Sequence, residues 1–135
     1  MAKNVSIYNE LIKMCDSLML FSGNIPRDNV MLRHQSCKVA DLTIDAILVC
    51  GMALKEPDLT ARAALIERLR LDVLTVDVVM TLWWHMKERK YSKNHPIVIT
   101  SAQYAIYAET YTNIINSIEK WLKRTRSEEP KPVAR

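Results

Sequence analysis

Two aspartates one helical turn apart, Asp41 and Asp45, are the first residues of this chain whose types and spacing could do chemistry. On one face of a helix such a pair can share a divalent cation. Dinuclear helical bundles add a Glu-x-x-His from each of two helices. Here Leu82 stands three before His85 and Met31 three before His34, so that signature is missing. Asp41 and Asp45 are therefore expected to be solvated or ion-paired, and Asp72 to pair with Arg68 one turn away. The three cysteines, Cys15, Cys37 and Cys50, are odd in number and show no C-x-x-C spacing. All three fall in apolar helical stretches and are expected to be buried, reduced thiols. No nucleophile elbow, P-loop or glycine-rich phosphate loop is present, and neither metal nor cofactor is expected.

Arg89 and His95 have an R-x5-H spacing that resembles the pattern of HEPN-type ribonucleases, in which Arg and His act on a phosphodiester. Lys90 stands where that pattern has an uncharged polar residue, and Pro96 suggests a loop, so His95 reads as a loop residue. Trp83 and Trp84 are adjacent and must face about 100° apart on a helix, which predicts one in the core and one at a subunit contact. Basic residues gather at Lys87, Arg89, Lys90 and Lys93, and again at Lys120, Lys123, Arg124 and Arg126. Cations near a helix C-terminus are stabilising by themselves, so this clustering also has a purely structural explanation.

The elements that position these residues are four stretches of helical apolar periodicity. Only 2 Gly and 1 Phe beside 7 Met, with abundant Leu, Ile, Val and Ala, exclude a hairpin-rich β fold, and 135 residues suit one domain. A first helix is predicted over Val5 to Phe21, capped by Asn4 or Ser6. It carries one seam of Ile7, Leu11, Met14, Leu18 and Phe21 and a second of Tyr8, Ile12, Cys15 and Met19. A second, Asp28 to Leu54, presents Cys37, Ala40, Ile44, Ile47, Gly51 and Leu54. A third, Asp58 to Lys90, presents Ile66, Leu69, Val73, Val76, Met80 and Trp83, with Leu71, Leu74, Val78 and Leu82 off that seam.

The fourth helix has the clearest start: Thr100 and Gln103 form a capping box, with Ile99 and Tyr104 as the staple. Its main seam is Tyr104, Ala108, Tyr111, Ile115, Ile118 and Leu122, with Tyr107, Ile114 and Trp121 alongside. The domain is expected to span residues 1–126, and Ser127 to Arg135, with Pro130 and Pro132, to form a disordered tail. Short connections make this an all-α, up-down-up-down four-helix bundle. Surplus apolar rows on the first and third helices call for a second copy of the chain, so a homo-oligomer is expected.

The net charge of +4 is unevenly placed: residues 1–85 hold 9 Lys or Arg against 10 Asp or Glu, and residues 86–135 hold 10 against 5. A basic surplus in the second half attracts polyanions through counter-ion release. No run of about 18 apolar residues and no secretory leader is seen, so a cytoplasmic protein with no membrane partner is expected.

Five features occur in order: Asn24-Ile25-Pro26-Arg27; Arg33 and Lys38; Glu67-Arg68-Leu69-Arg70-Leu71; Gln103; and Lys120-Trp121-Leu122-Lys123. In this the chain, over residues 5–125, resembles the accessory variability determinant (Avd) family. These are small four-helix proteins encoded beside the reverse transcriptase of diversity-generating retroelements, related to a family found in intervening sequences of ribosomal RNA genes. The resemblance implies a barrel-like homopentamer that is not itself an enzyme. It would bind the reverse transcriptase and template RNA to support mutagenic cDNA synthesis. Arg27, Arg33 and Lys38 match basic positions of the family, and Lys120, Lys123, Arg124 and Arg126 match its basic C-terminal end. These seven are the implied contacts to nucleic acid or polymerase. A generic RNA-associated bundle of the ribosomal intervening-sequence type is the alternative.

Overall fold

A computed structural model describes residues 2–88 and 99–129, and within them four helices and no strand. Helix α1 (Ala2–Gly23) buries Ile7, Leu11, Met14, Leu18 and Phe21, the steps of three and four that keep one stripe facing a neighbour. It ends where Asn24 and Ile25 donate back to the carbonyls of Phe21 and Ser22 at 3.0 and 3.2 Å. Pro26 lies beyond, and Asn29 starts α2 (Val30–Lys55) by accepting the Leu32 N–H on its side-chain oxygen at 3.1 Å.

Pro57 has no N–H with which to continue α2, and Asp58 restarts the chain by accepting the Ala61 N–H at 3.0 Å. Arg62 closes this corner with two bonds to the Glu56 carbonyl, 2.9 and 2.6 Å long. Helix α3 (Leu59–Glu88) is 30 residues, about 45 Å at the usual helical rise. Helix α4 (Ser101–Glu128) opens with both halves of the expected capping box. Gln103 N–H donates to Thr100 Oγ1 at 3.2 Å, and Thr100 N–H to Gln103 Oε1 at 3.1 Å.

The helices form a closed square in which α1 and α3 each pack against α2 and α4. Cross-links fix the directions. Trp83 Nε1 donates to Gln35 Oε1 at 2.7 Å and Arg68 pairs with Asp45, so α3 runs antiparallel to α2. Arg126 meets Glu67, Arg70 meets Glu119, and Tyr107 donates to Asp77, so α4 runs antiparallel to α3. Phe21 meets Tyr107 edge to face, with ring centroids 6.4 Å apart, which closes the square at the end where α1 finishes. The up-down-up-down arrangement leaves two poles. One holds the end of α1 and the start of α2; the other holds the start of α3 and the end of α4.

Several expectations need correction. The deep face of α2 is Leu32, Val39, Thr43, Ala46, Val49, Cys50 and Ala53. Of its expected seam, Cys37, Ala40 and Ile44 face solvent and Ile47, Gly51 and Leu54 are half-buried. On α4 the stripe of Tyr107, Ile114 and Trp121 is buried together with Ile118 and Leu122 of the expected main seam, while Tyr104, Ala108, Tyr111 and Ile115 of that seam are half-buried. Trp83 is buried as expected. Trp84 is half-buried and stacks on Tyr104, with ring centroids 4.5 Å apart and planes 9° apart. Asn4 and Ser6 lie inside α1 instead of capping it. Ser127 and Glu128 continue α4, so the helix reaches past residue 126; residues 130–135 of the expected tail lie outside the described residues.

Candidate functional site

The seven basic candidates divide between the poles. At the α1–α2 end, Arg27 and Arg33 line one cleft of about 310 Å³ with Ser22, Ile25, Ser36 and Cys37. The turn that carries Asn24-Ile25-Pro26-Arg27 brings Arg27 back over the first turn of α2. There Arg33 Nη1 donates to the Arg27 carbonyl at 2.7 Å. Ser22 and Ser36, 14 residues apart, meet across the helix pair with hydroxyl oxygens 2.7 Å apart. Lys38 is exposed but is not among the residues lining this cleft.

Lys120, Lys123 and Arg124 are exposed at the opposite end, and Arg126 there donates to Glu67 Oε1 at 2.7 Å. One continuous basic stripe on a single chain is therefore absent among the described residues. A 45 Å bundle carries a cationic group at each end instead. Arg89, Lys90, Lys93 and His95, including both residues of the R-x5-H spacing, lie outside the described residues.

The carboxylates do something the spacing did not reveal. Arg68 reaches across to Asp45, with Nε to Oδ2 at 3.1 Å, rather than back to Asp72. Asp72 is only 8% exposed and its Oδ2 has no hydrogen-bond partner. Burial first, and then the neighbouring Asp45 carboxyl, push Asp72 up to about 7. The Asp72 carboxyl and the Arg68 guanidinium hold Asp45 below its ordinary value. The two acids influence each other's titration across the seam between α2 and α3. Asp41 is exposed, and no group of three His, Cys, Asp or Glu side chains among the described residues is arranged to hold a metal.

The thiols differ in the same way: Cys50 is buried and its thiol is raised to about 11 by desolvation, Cys15 is half-buried, and Cys37, against expectation, is exposed. At the upper end of α4, Tyr107 Oη donates to Asp77 Oδ1 at 2.7 Å in a buried setting that raises the phenol well above its ordinary value.

The largest feature is apolar. Val30, Met31, Ile44, Leu48 and Met52 on α2 and Leu71, Val78 and Leu82 on α3 are exposed, whereas α4 exposes just Ile106 among large apolar side chains of the described residues. Beside them a groove of about 410 Å³ runs between α1 and α2, walled by Leu18, Met19, Val39, Ala40 and Ile44 and ending at Ser22 and Ser36.

No family model, curated protein or solved structure matches this chain. Its surfaces must then be read on their own chemistry. Ser22, Ser36 and the Asp45–Asp72 pair were not legible as site residues, because their partners are distant in sequence and belong to other helices. The basic residues were visible, but which pole each occupies depends on the topology. No described helix is long and apolar enough to cross a membrane.

Proposed function

We propose that this chain is a non-enzymatic assembly protein. It associates with copies of itself into a barrel-like homopentamer and binds the reverse transcriptase and template RNA of a diversity-generating retroelement. The observation that carries the assembly half is the exposed apolar surface of α2 and α3, eight large side chains that a lone bundle leaves in water. A closed ring of identical chains buries such a surface without leaving an edge. The resemblance of the Asn24-Ile25-Pro26-Arg27 turn and of Lys120-Trp121-Leu122-Lys123 supplies the partners. Ring closure would repeat the cationic groups of each pole around the barrel, turning two small clusters into two basic rims suited to a polyanion.

The absolute mass in solution tests the assembly: a pentamer of 15.6-kDa chains gives about 78 kDa. Co-purification with the reverse transcriptase encoded beside the gene, with and without RNA, tests the partner. Failure to retain the polymerase in either condition overturns the retroelement reading. RNA retained without polymerase moves the function to an RNA-associated bundle of the ribosomal intervening-sequence type.

A further inference from the structure

We propose that the α1–α2 corner cleft is a phosphate-binding subsite, built from Arg27, Arg33 and the Ser22–Ser36 hydroxyl pair. It deepens the RNA reading and rests on it only for the source of the phosphate.

Every charged side chain lining the cleft is cationic; Asp28, although next in sequence to Arg27, is not among them. The donors are also arranged. Arg33 is held by its bond to the Arg27 carbonyl, which uses one of its five N–H groups and leaves the rest of the fork available. Of the two serines, one hydroxyl donates to the other at 2.7 Å, and the accepting hydroxyl keeps its own proton for an outside acceptor. Two arginines and the serine hydroxyl pair thus line one cleft of about 310 Å³. A planar carboxylate is satisfied by a single guanidinium fork, whereas a phosphate spreads its charge over oxygens pointing in several directions. The donor set fits the second shape. The early turns of α2, at the positive end of its dipole, add to the same preference.

The experiment is a titration of the full-length protein with inorganic phosphate, followed by backbone amide shifts, with acetate in parallel. Saturable shifts at Ser22, Arg33 and Ser36 are expected, weakened at least about 10-fold by Arg27→Gln and by Arg33→Gln. Arg27→Gln keeps the carbonyl that holds the corner, so it separates lost charge from a disturbed turn. Lys55→Gln, at the other pole, is expected to leave the shifts unchanged. Absence of saturable shifts, indifference to Arg27→Gln, or acetate binding as tightly as phosphate overturns the proposal; the last outcome makes the cleft a carboxylate site for an acidic protein. Short single-stranded RNAs with a 5′-phosphate or a 5′-hydroxyl then distinguish sources. Equal binding assigns the internal phosphodiester, and a preference for the 5′-phosphate assigns a terminal phosphate or free nucleotide. If the cleft proves inert while Lys120→Gln with Lys123→Gln still lowers RNA binding, the RNA reading survives without this subsite.

Discussion

The outward surfaces of α2 with α3 and of α4 are opposites built on the same helical repeat. Along α4 the exposed positions include Glu109, Thr112, Asn113, Asn116, Glu119, Lys120 and Lys123, with Ile106 the one large apolar side chain exposed among its described residues, so this helix has one apolar face and one largely wet face. Along α2 the outermost row is Val30, Cys37, Ile44, Leu48 and Met52, on the side away from Val39, Ala46 and Cys50, which are buried. A helix with two apolar rows has two sets of contacts to make. In this bundle α2 makes one set with its own chain and leaves the other exposed. On the proposed assembly, the difference between the helices separates what folds the chain from what joins it to other copies.

The largest effect should come from breaking the apolar side of that contrast. Leu48→Glu combined with Leu71→Glu places two carboxylates where a partner helix must pack, and is expected to weaken self-association by about 100-fold or more. Asn113→Glu with Asn116→Glu, on the wet face of α4, is expected to leave the mass unchanged. Light scattering at matched concentrations reads both, and circular dichroism confirms that helix content is retained. Equal masses for the two double variants would show that the α2–α3 surface is not the assembly interface.

The contrast also explains what could be read from the sequence. The main predicted seams of α1 and α3 are buried, because Ile7 to Phe21 and Ile66 to Trp83 hold unbroken steps of three and four, whereas Ile12 and Met19 of the second α1 seam are exposed. On α2 the row through Cys37, Ala40 and Ile44 and the row through Val39, Ala46 and Cys50 are both apolar. Periodicity then counts two apolar faces without saying which one touches the same chain. The basic residues were legible as types and positions. Their consequences were not, since Arg126 is engaged by Glu67 from 59 residues away and Lys38 does not line the Arg27–Arg33 cleft.

An intermediate effect is expected at the α2–α3 seam, where Asp72 is buried near Asp45 and Arg68. Asp72 rises from its ordinary 3.8 to about 7 in the folded chain. The folded state thus binds this proton more tightly than the unfolded one. Its contribution is fully present below about pH 4 and is lost as pH climbs through 7. Asp45, lowered, acts in the opposite direction, contributing above its ordinary value and losing that contribution as pH falls. Asp72→Asn keeps a donor for Asp45 and removes the buried charge. At pH 8 the variant is expected to be more stable by on the order of 2 kcal/mol, with a flatter profile between pH 5 and 8 in urea unfolding. Parallel profiles for variant and parent would show that burial does not hold Asp72 protonated in the folded chain.

The smallest effect probes the wet side. Glu67 on α3 holds Arg126 at 2.7 Å, with the two side chains 40% and 57% exposed, so the pair contributes less than about 1 kcal/mol to stability. Glu67→Gln gives up little of the fold, yet it releases Arg126 beside Lys120 and Lys123 and removes a carboxylate that repels phosphate. If the end of α4 contacts RNA, the variant should bind single-stranded RNA a few-fold more tightly at low salt. Its salt dependence should steepen by about 0.7 in logarithmic slope, the increment for one further phosphate contact on a single strand. An unchanged slope would mean that Lys120, Lys123 and Arg126 serve the helix terminus alone, and that the polyanion contact belongs to the Arg27–Arg33 pole.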